Sequence, residues 1–378
     1  MGVDRRHIRY MRLAAGGLAL CVALWLAVIG LGWAALALTV GTLLLLSRRR
    51  SVPVIVYHSV SPDASWLPWS ANISVRPEVF RRHMQVLSRC GYRVVRDDDL
   101  YAGKLDPRRR QVVLHFDDAY HDVTLHALPL LRQLGFPATV LASTDFIDPA
   151  EAPRDPARPV GYMTAAELRA IDADPLFKVS CHGKDHALGP VPGPATPRNP
   201  HTWGLETANL WFYMPGNKAR WFEQDPPDLP QIPASDSVLT ARLLTEDGQE
   251  TETQRSSRVR RDLGEARATL SELLGREVRG LCWPFDRVTP TALADAQAAG
   301  FARFTGGRAD NPGNRPIVSV SRTHMHDHAA GDTPDWIEAL VFRARVEIAA
   351  GNLLWCPVSW MATLRRRSSG KYLKFRTL

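Results

Sequence analysis

The sequence predicts an α/β protein, a parallel sheet of repeated strand–helix units carried behind an N-terminal transmembrane segment. Three observations predict it. Short apolar runs alternate with amphipathic helical stretches from Val52 to Gly300, the pattern of crossover units and so of a parallel sheet, open or closed as a barrel. Residues 13–46 contain no charged side chain. Two polar motifs, HFDDAY at 115–120 and CHGKDH at 181–186, each follow directly on an apolar run.

Taken in chain order, residues 1–50 form a membrane anchor. One helix through 13–46 would run roughly 50 Å at about 1.5 Å per residue, against a hydrocarbon core about 30 Å thick. The segment is therefore one tilted helix or two short ones turning near Gly30–Leu31–Gly32. Arg5, Arg6, Arg9 and Arg12 precede it and Arg48, Arg49 and Arg50 follow, a symmetry that favours a hairpin with both ends in the cytoplasm. The units then follow: strand 52–58, helix 76–91, strand 92–95, strand 111–116, helix 122–135, strand 138–143, helix 164–172 and strand 177–181. In the first helix Phe80, Met84 and Leu87 share a face, and Gly91 stops it. Residues 187–256 interrupt the rhythm with five prolines between 190 and 200, an aromatic cluster at 210–222 and a polar run at 245–257. They form an insertion, either partly disordered or a lid whose aromatics suit sugar rings. Helix 260–275, strand 278–284 and helix 289–300 resume the pattern. The organisation expected is anchor 1–50, catalytic domain 51–330 and a C-terminal helix with a basic tail at 331–378.

Composition narrows the function. Hydrophobic content of 45% supports a sizeable core, and the net charge of +8 suits an anionic partner. No motif or aromatic–basic platform for nucleic acid accompanies that charge, so membrane lipid is the expected anionic partner. Residues 364–378 hold six basic side chains and no acidic one, which suits an anionic leaflet. The five cysteines are scattered, without a CxxC pair; this excludes a disulfide framework and favours a reducing compartment.

Burying a bare carboxylate is costly, so Asp117 and Asp118, directly after a strand, call for partners. His182 and His186 supply them. At i and i+4 both imidazoles can reach one ion, and with a carboxylate from another strand end they make an N/O set suited to zinc with positions left for water. Strand C-termini gather on one face in such folds, so Asp118 and both histidines are expected to converge. Asp117, adjacent and not a ligand, is the expected base.

These motifs resemble the polysaccharide deacetylases of carbohydrate esterase family 4, over about residues 52–325, and in particular the membrane-associated branch acting on poly-N-acetylglucosamine. PVIVYHSVS is similar to the family's opening strand, HFDDAY to its TFDDG-type motif, CHGKDH to its H(S/T)xxH metal motif, and LCWPFD (281–286) to the strand with an RxPY-type ending. The resemblance implies an irregular (β/α) barrel, Asp117 as base, Asp118, His182 and His186 on a divalent metal, and removal of N-acetyl groups from amino sugars in a polysaccharide or lipid-linked glycan. There are departures: His115 replaces Thr or Ser, Ala119 replaces Gly, and Cys282 stands where many members carry the Arg that orients the base. No LxH-type acid is evident; SRTHMHDH (321–328) offers His324, His326 and His328, of which His324 and His326 are the candidates. His58 reads as a structural histidine, Trp283 and Phe285 as packing residues, and the Tyr120 N–H as an oxyanion donor. The competing reading is an inactive glycan-binding or assembly protein of the same fold.

Overall fold

The computed structural model describes residues 4–150, 154, 159–197, 202–204, 207, 210–307, 309–327 and 334–368. Two helices open the chain, α1 (Arg5–Val28) and α2 (Gly32–Ser47), turning at residues 29–31. Gly30 takes φ 87° at that turn, a conformation glycine adopts without a Cβ clash. Of the described helices, α1 alone is long and apolar enough to cross a membrane, and it could be an anchor or a signal sequence.

The sheet strands are β1 (Val54–Tyr57), β2 (Arg93–Val94), β3 (Gln111–Phe116), β4 (Ala138–Ala142), β5 (Phe177–Cys181), β6 (Gly280–Cys282), β7 (Arg303–Thr305), β8 (Ser319–Val320) and β9 (Thr323–His324). Every pairing among them is parallel, and the order across the sheet is β8-β7-β6-β5-β4-β3-β1-β9, with β2 beside β3. The curled sheet is an irregular barrel. Its two edge strands are joined by only Ser321 and Arg322, and among the described residues no ladder connects β8 to β9. The central strands are buried on both faces, as a covered parallel sheet requires.

Helices α3 (Pro77–Arg89), α4 (His121–His126), α5 (Leu128–Leu134), α6 (Ala165–Ala173), α7 (Glu252–Leu274) and α8 (Pro290–Ala298) cover it. Three differences from the sequence reading have local causes. The helix expected over 122–135 breaks at Ala127, because Pro129 lacks the N–H that would continue the ladder. Helix α7 starts at Glu252, eight residues before the expected 260. Thr251 and Gln254 form a capping box there, satisfying two end N–H groups, and the cap is worth about 1 kcal/mol. Strands β7, β8 and β9 were not anticipated, being two or three residues long and too short to show a period.

The insertion is folded where described. Ribbons pair Leu188–Pro190 with Ser235–Ser237 and Thr196–Pro197 with Gln231–Ile232. Its aromatics serve packing, with Trp211 and Trp221 buried and Trp221 stacked on Trp69 at 5.1 Å. This clasp also ties to the barrel through Lys218 Nζ, 2.8 Å from Asp145. Residues 198–201, 205, 206, 208 and 209 of the insertion lie outside the described residues. Past the sheet, α9 (Asp335–Ala349) and α10 (Cys356–Ser368) complete the chain; residues 369–378 of the basic tail lie outside the description.

Candidate metal and acid–base centre

Strand β3 ends at Phe116, and the backbone then turns into the left-handed region at Asp118 (φ 65°) and Ala119 (φ 51°). Among the described residues the other non-glycines at positive φ are His186 (φ 51°), Phe285 (φ 60°) and Asp286 (φ 53°). All five lie at the motifs singled out above. Such conformations cost on the order of 1–3 kcal/mol each and persist where the surroundings enforce them. Ala119 thus bears, as a strained alanine, the conformation that a glycine would adopt freely.

The turn sends the two carboxylates different ways. Asp118 Oδ1 lies 3.4 Å from His182 Nε2 and 4.0 Å from His186 Nε2, and a donor atom of each of the three lies within 4.8 Å of the others. His182 Nδ1 is 3.1 Å from the Cys282 carbonyl. Donation to that oxygen fixes the tautomer and leaves Nε2 as a lone pair facing Asp118. Burial pushes the Asp118 carboxyl up to about 6, Asp117 adds to this, and His58, a Tyr120 hydrogen bond and Arg322 oppose it. A half-buried carboxylate short of positive charge beside the His182 lone pair and the His186 ring fits a divalent cation, so these residues could hold a metal.

Asp117 is paired differently. It is buried, and Arg322 Nη1 donates to both its oxygens, at 2.6 and 2.9 Å. Burial alone would raise this carboxyl; Arg322, then His182 and His58, reverse that and hold it well below the ordinary carboxylate range. Arg322 turns its other edge to Asp286, donating from Nε (3.0 Å) and Nη2 (2.6 Å) to Oδ1. Asp286 Oδ2 in turn lies 2.6 Å from His324 Nε2. A chain of charge therefore runs Asp117–Arg322–Asp286–His324 (base candidate to acid candidate).

Arg322 is the residue that sequence reasoning missed. At the position where the resemblance implies an arginine stands Cys282, yet an arginine reaches the carboxylate from the β8–β9 link, 205 residues along the chain from Asp117. Its only sequence signal was its place inside SRTHMHDH. His58 also departs from expectation: it lines the site, 3.7 Å from Asp117 Oδ2 and stacked on His324 at 5.4 Å. Of the acid candidates, His324 joins the network. His326 sits two residues on, half-buried, a candidate by position alone, and His328 lies outside the described residues. Trp283 packs as expected, fully buried against Phe304, while Phe285 meets the His186 ring edge-on at 4.3 Å.

The parallel α/β sheet thus groups two histidines and a carboxylate beside a second, arginine-held carboxylate, a set with the donors for a metal and a base. The chain belongs to the polysaccharide deacetylase family, which it matches over residues 104–304, just over half its length. No curated protein matches it. Among solved structures, a de-N-acetylase from Aggregatibacter actinomycetemcomitans superposes with a TM-score of 0.50 at 17% identity, over 73% of this chain and 95% of its own. The BpsB deacetylase domain from Bordetella bronchiseptica gives 0.50 at 18% identity, over 73% and 96%. At these identities the likeness concerns the fold.

Proposed function

We propose that the protein is a membrane-anchored, zinc-dependent deacetylase that hydrolyses the N-acetyl groups of amino sugars in a polysaccharide or lipid-linked glycan. The observation carrying this reading is the split fate of the Asp117–Asp118 pair: one carboxylate is locked on an arginine, the other faces the Nε2 atoms of two imidazoles. Neighbouring solved structures described as a de-N-acetylase and a deacetylase domain support it in kind.

Asp118, His182 and His186 would hold the metal, which would supply a Lewis acid that acidifies water and polarises the acetamide carbonyl. Asp117, kept ionised by Arg322, takes the proton from the attacking water. His324, oriented through Asp286, gives a proton to the departing amine, and the Tyr120 N–H, next along the turn, is the donor we assign to the oxyanion. Leu13–Val28 and α2 each have about 24 Å of uncharged helix, short of the ~30 Å core, and expose Leu18, Trp25, Trp33 and Leu44. That supports a shallow hairpin, and the arginines flanking both its ends favour the cytoplasmic face for the catalytic domain.

The test separates the aspartates. Asp117→Asn should retain bound zinc, by elemental analysis, and lose roughly 10²–10⁴-fold in deacetylation of an N-acetylglucosamine oligomer. Asp118→Asn and His182→Ala should lose the zinc itself. Activity restored by excess zinc in Asp117→Asn but not in Asp118→Asn would reverse the two roles.

A further inference from the structure

Helix α10 is covered on one face and bare on the other, with the wrong polarity for water. Val358, Ser359, Ala362 and Thr363 are half-buried, and buried Arg366 donates to the Ala71 carbonyl. The opposite side exposes Trp360 (68%), Met361 (59%) and Leu364 (48%), continuing Leu354 (41%) from the turn before. Positions 354, 357, 360, 361 and 364 recur at threes and fours, so they form one apolar stripe along the helix. An outward stripe led by a tryptophan marks an interaction surface.

Its surroundings indicate the partner. The turn before α10 is bound to the apolar hairpin at the point where the hairpin's arginines begin. Arg12 donates both to the Gly351 carbonyl (3.2 Å) and to the Leu45 carbonyl near the end of α2 (2.7 Å). The Arg50 N–H donates to Ala350 (2.8 Å), and Leu353–Trp355 packs against α2. The stripe therefore starts where the uncharged arms end. The helix carries no acidic residue and ends in exposed Arg365 and Arg367 around buried Arg366. A tryptophan-led apolar face continuous with a membrane hairpin, with arginines at its end, matches the headgroup layer of an anionic phospholipid surface.

We propose that α10 is a second, in-plane membrane anchor, lying in the headgroup layer of the leaflet that the hairpin enters, its stripe toward the acyl chains and Arg365 and Arg367 on lipid phosphate. This rests on the reading of the hairpin as a membrane anchor. With two attachments, the barrel is fixed in rotation as well as tethered.

Full-length protein in nanodiscs of phosphatidylcholine and phosphatidylglycerol, with p-benzoylphenylalanine at one position at a time, tests it. Trp360→p-benzoylphenylalanine should give lipid adducts on irradiation, at least about fivefold above the same substitution at Arg169, which is exposed on α6 against the middle of the sheet. The same substitution at Leu24 reports on the hairpin. Absence of lipid adducts at 360, or adducts there to a second copy of the chain, overturns the proposal. Adducts at 24 alone would remove α10 and keep the hairpin, whereas failure at both positions would remove both readings. In discs of phosphatidylcholine alone the yield at 360 should fall while that at 24 holds; equal yields at 360 in both discs would overturn the electrostatic part.

Discussion

At the scale of single residues, the site turns on a buried arginine holding two carboxylates, buried Asp117 and half-buried Asp286. Removing one member of a buried ion cluster strands the others, at a cost of roughly 3–5 kcal/mol, so Arg322→Ala should lower stability as well as activity. Arg322→Lys keeps the charge but cannot grip Asp117 and Asp286 with two edges at once. We expect it to stay folded with full zinc and to lose roughly 10²-fold or more in kcat; wild-type kcat in Arg322→Lys would show that Asp117 needs no such grip. The four motif residues were legible because each sits just past a strand, where two carboxylates or two histidines stand out against an apolar run. Arg322 was not, since nothing local marks a residue whose partners are brought by sheet closure. His58 could be read as site-lining or structural for the same reason: its stacking on His324 depends on β1 pairing with β9.

At the scale of elements, the covering layer holds a titratable group in a dry setting. His83 on α3 is buried, 3.0 Å from the Tyr57 hydroxyl through Nδ1 and stacked on Phe342 of α9 at 4.1 Å. Burial, with the Arg345 charge adding to it, lowers its pKa from 6.5 to about 3. The folded state therefore refuses a proton that the unfolded chain accepts below about 6.5, and stability falls as pH drops from there toward 3. By linkage this one group accounts for up to roughly 3–5 kcal/mol of acid destabilisation. His83→Gln keeps a partner for Tyr57 without the titration. Its urea midpoint should drop less than wild type's between pH 7 and pH 5; parallel drops would exclude His83 as a source. Long amphipathic elements such as α3 and fully buried ones such as β3 and β4 were readable from pattern. The closing strands were not, because two residues carry no periodicity, and α7 was misread at its start because a polar first turn looks like loop until its cap is seen.

At the scale of the whole molecule, anchor and barrel are one assembly. Arg5 donates to Ser321 Oγ (3.0 Å) and to the Arg322 carbonyl, and Arg49 pairs with buried Glu347. Arginines on both flanks of the hairpin are thus engaged by the barrel edge and by α9, which under the proposed anchoring keeps them on one side of the membrane with the barrel. A fluorescent reporter that matures only in the cytoplasm, fused after Leu378, should fluoresce; alkaline phosphatase activity at the same junction would put the domain outside. The same contacts predict that removing residues 1–50 lowers the melting temperature of the barrel as well as releasing it from membranes, measurable on the detergent-purified pair.

The two-residue link between β8 and β9 gives this barrel the construction of a hoop closed by a buckle, and the buckle carries the arginine. Ladder hydrogen bonds secure the rest of the circumference, whereas side chains alone hold the β8–β9 link, so we expect the edges to part first at Ser321–Arg322. Activity should then fail at lower urea than the global transition, and the amides of β8 and β9 should exchange with solvent ahead of those of β3 to β5. Gradual warming would thus silence the protein while its circular dichroism still looked native.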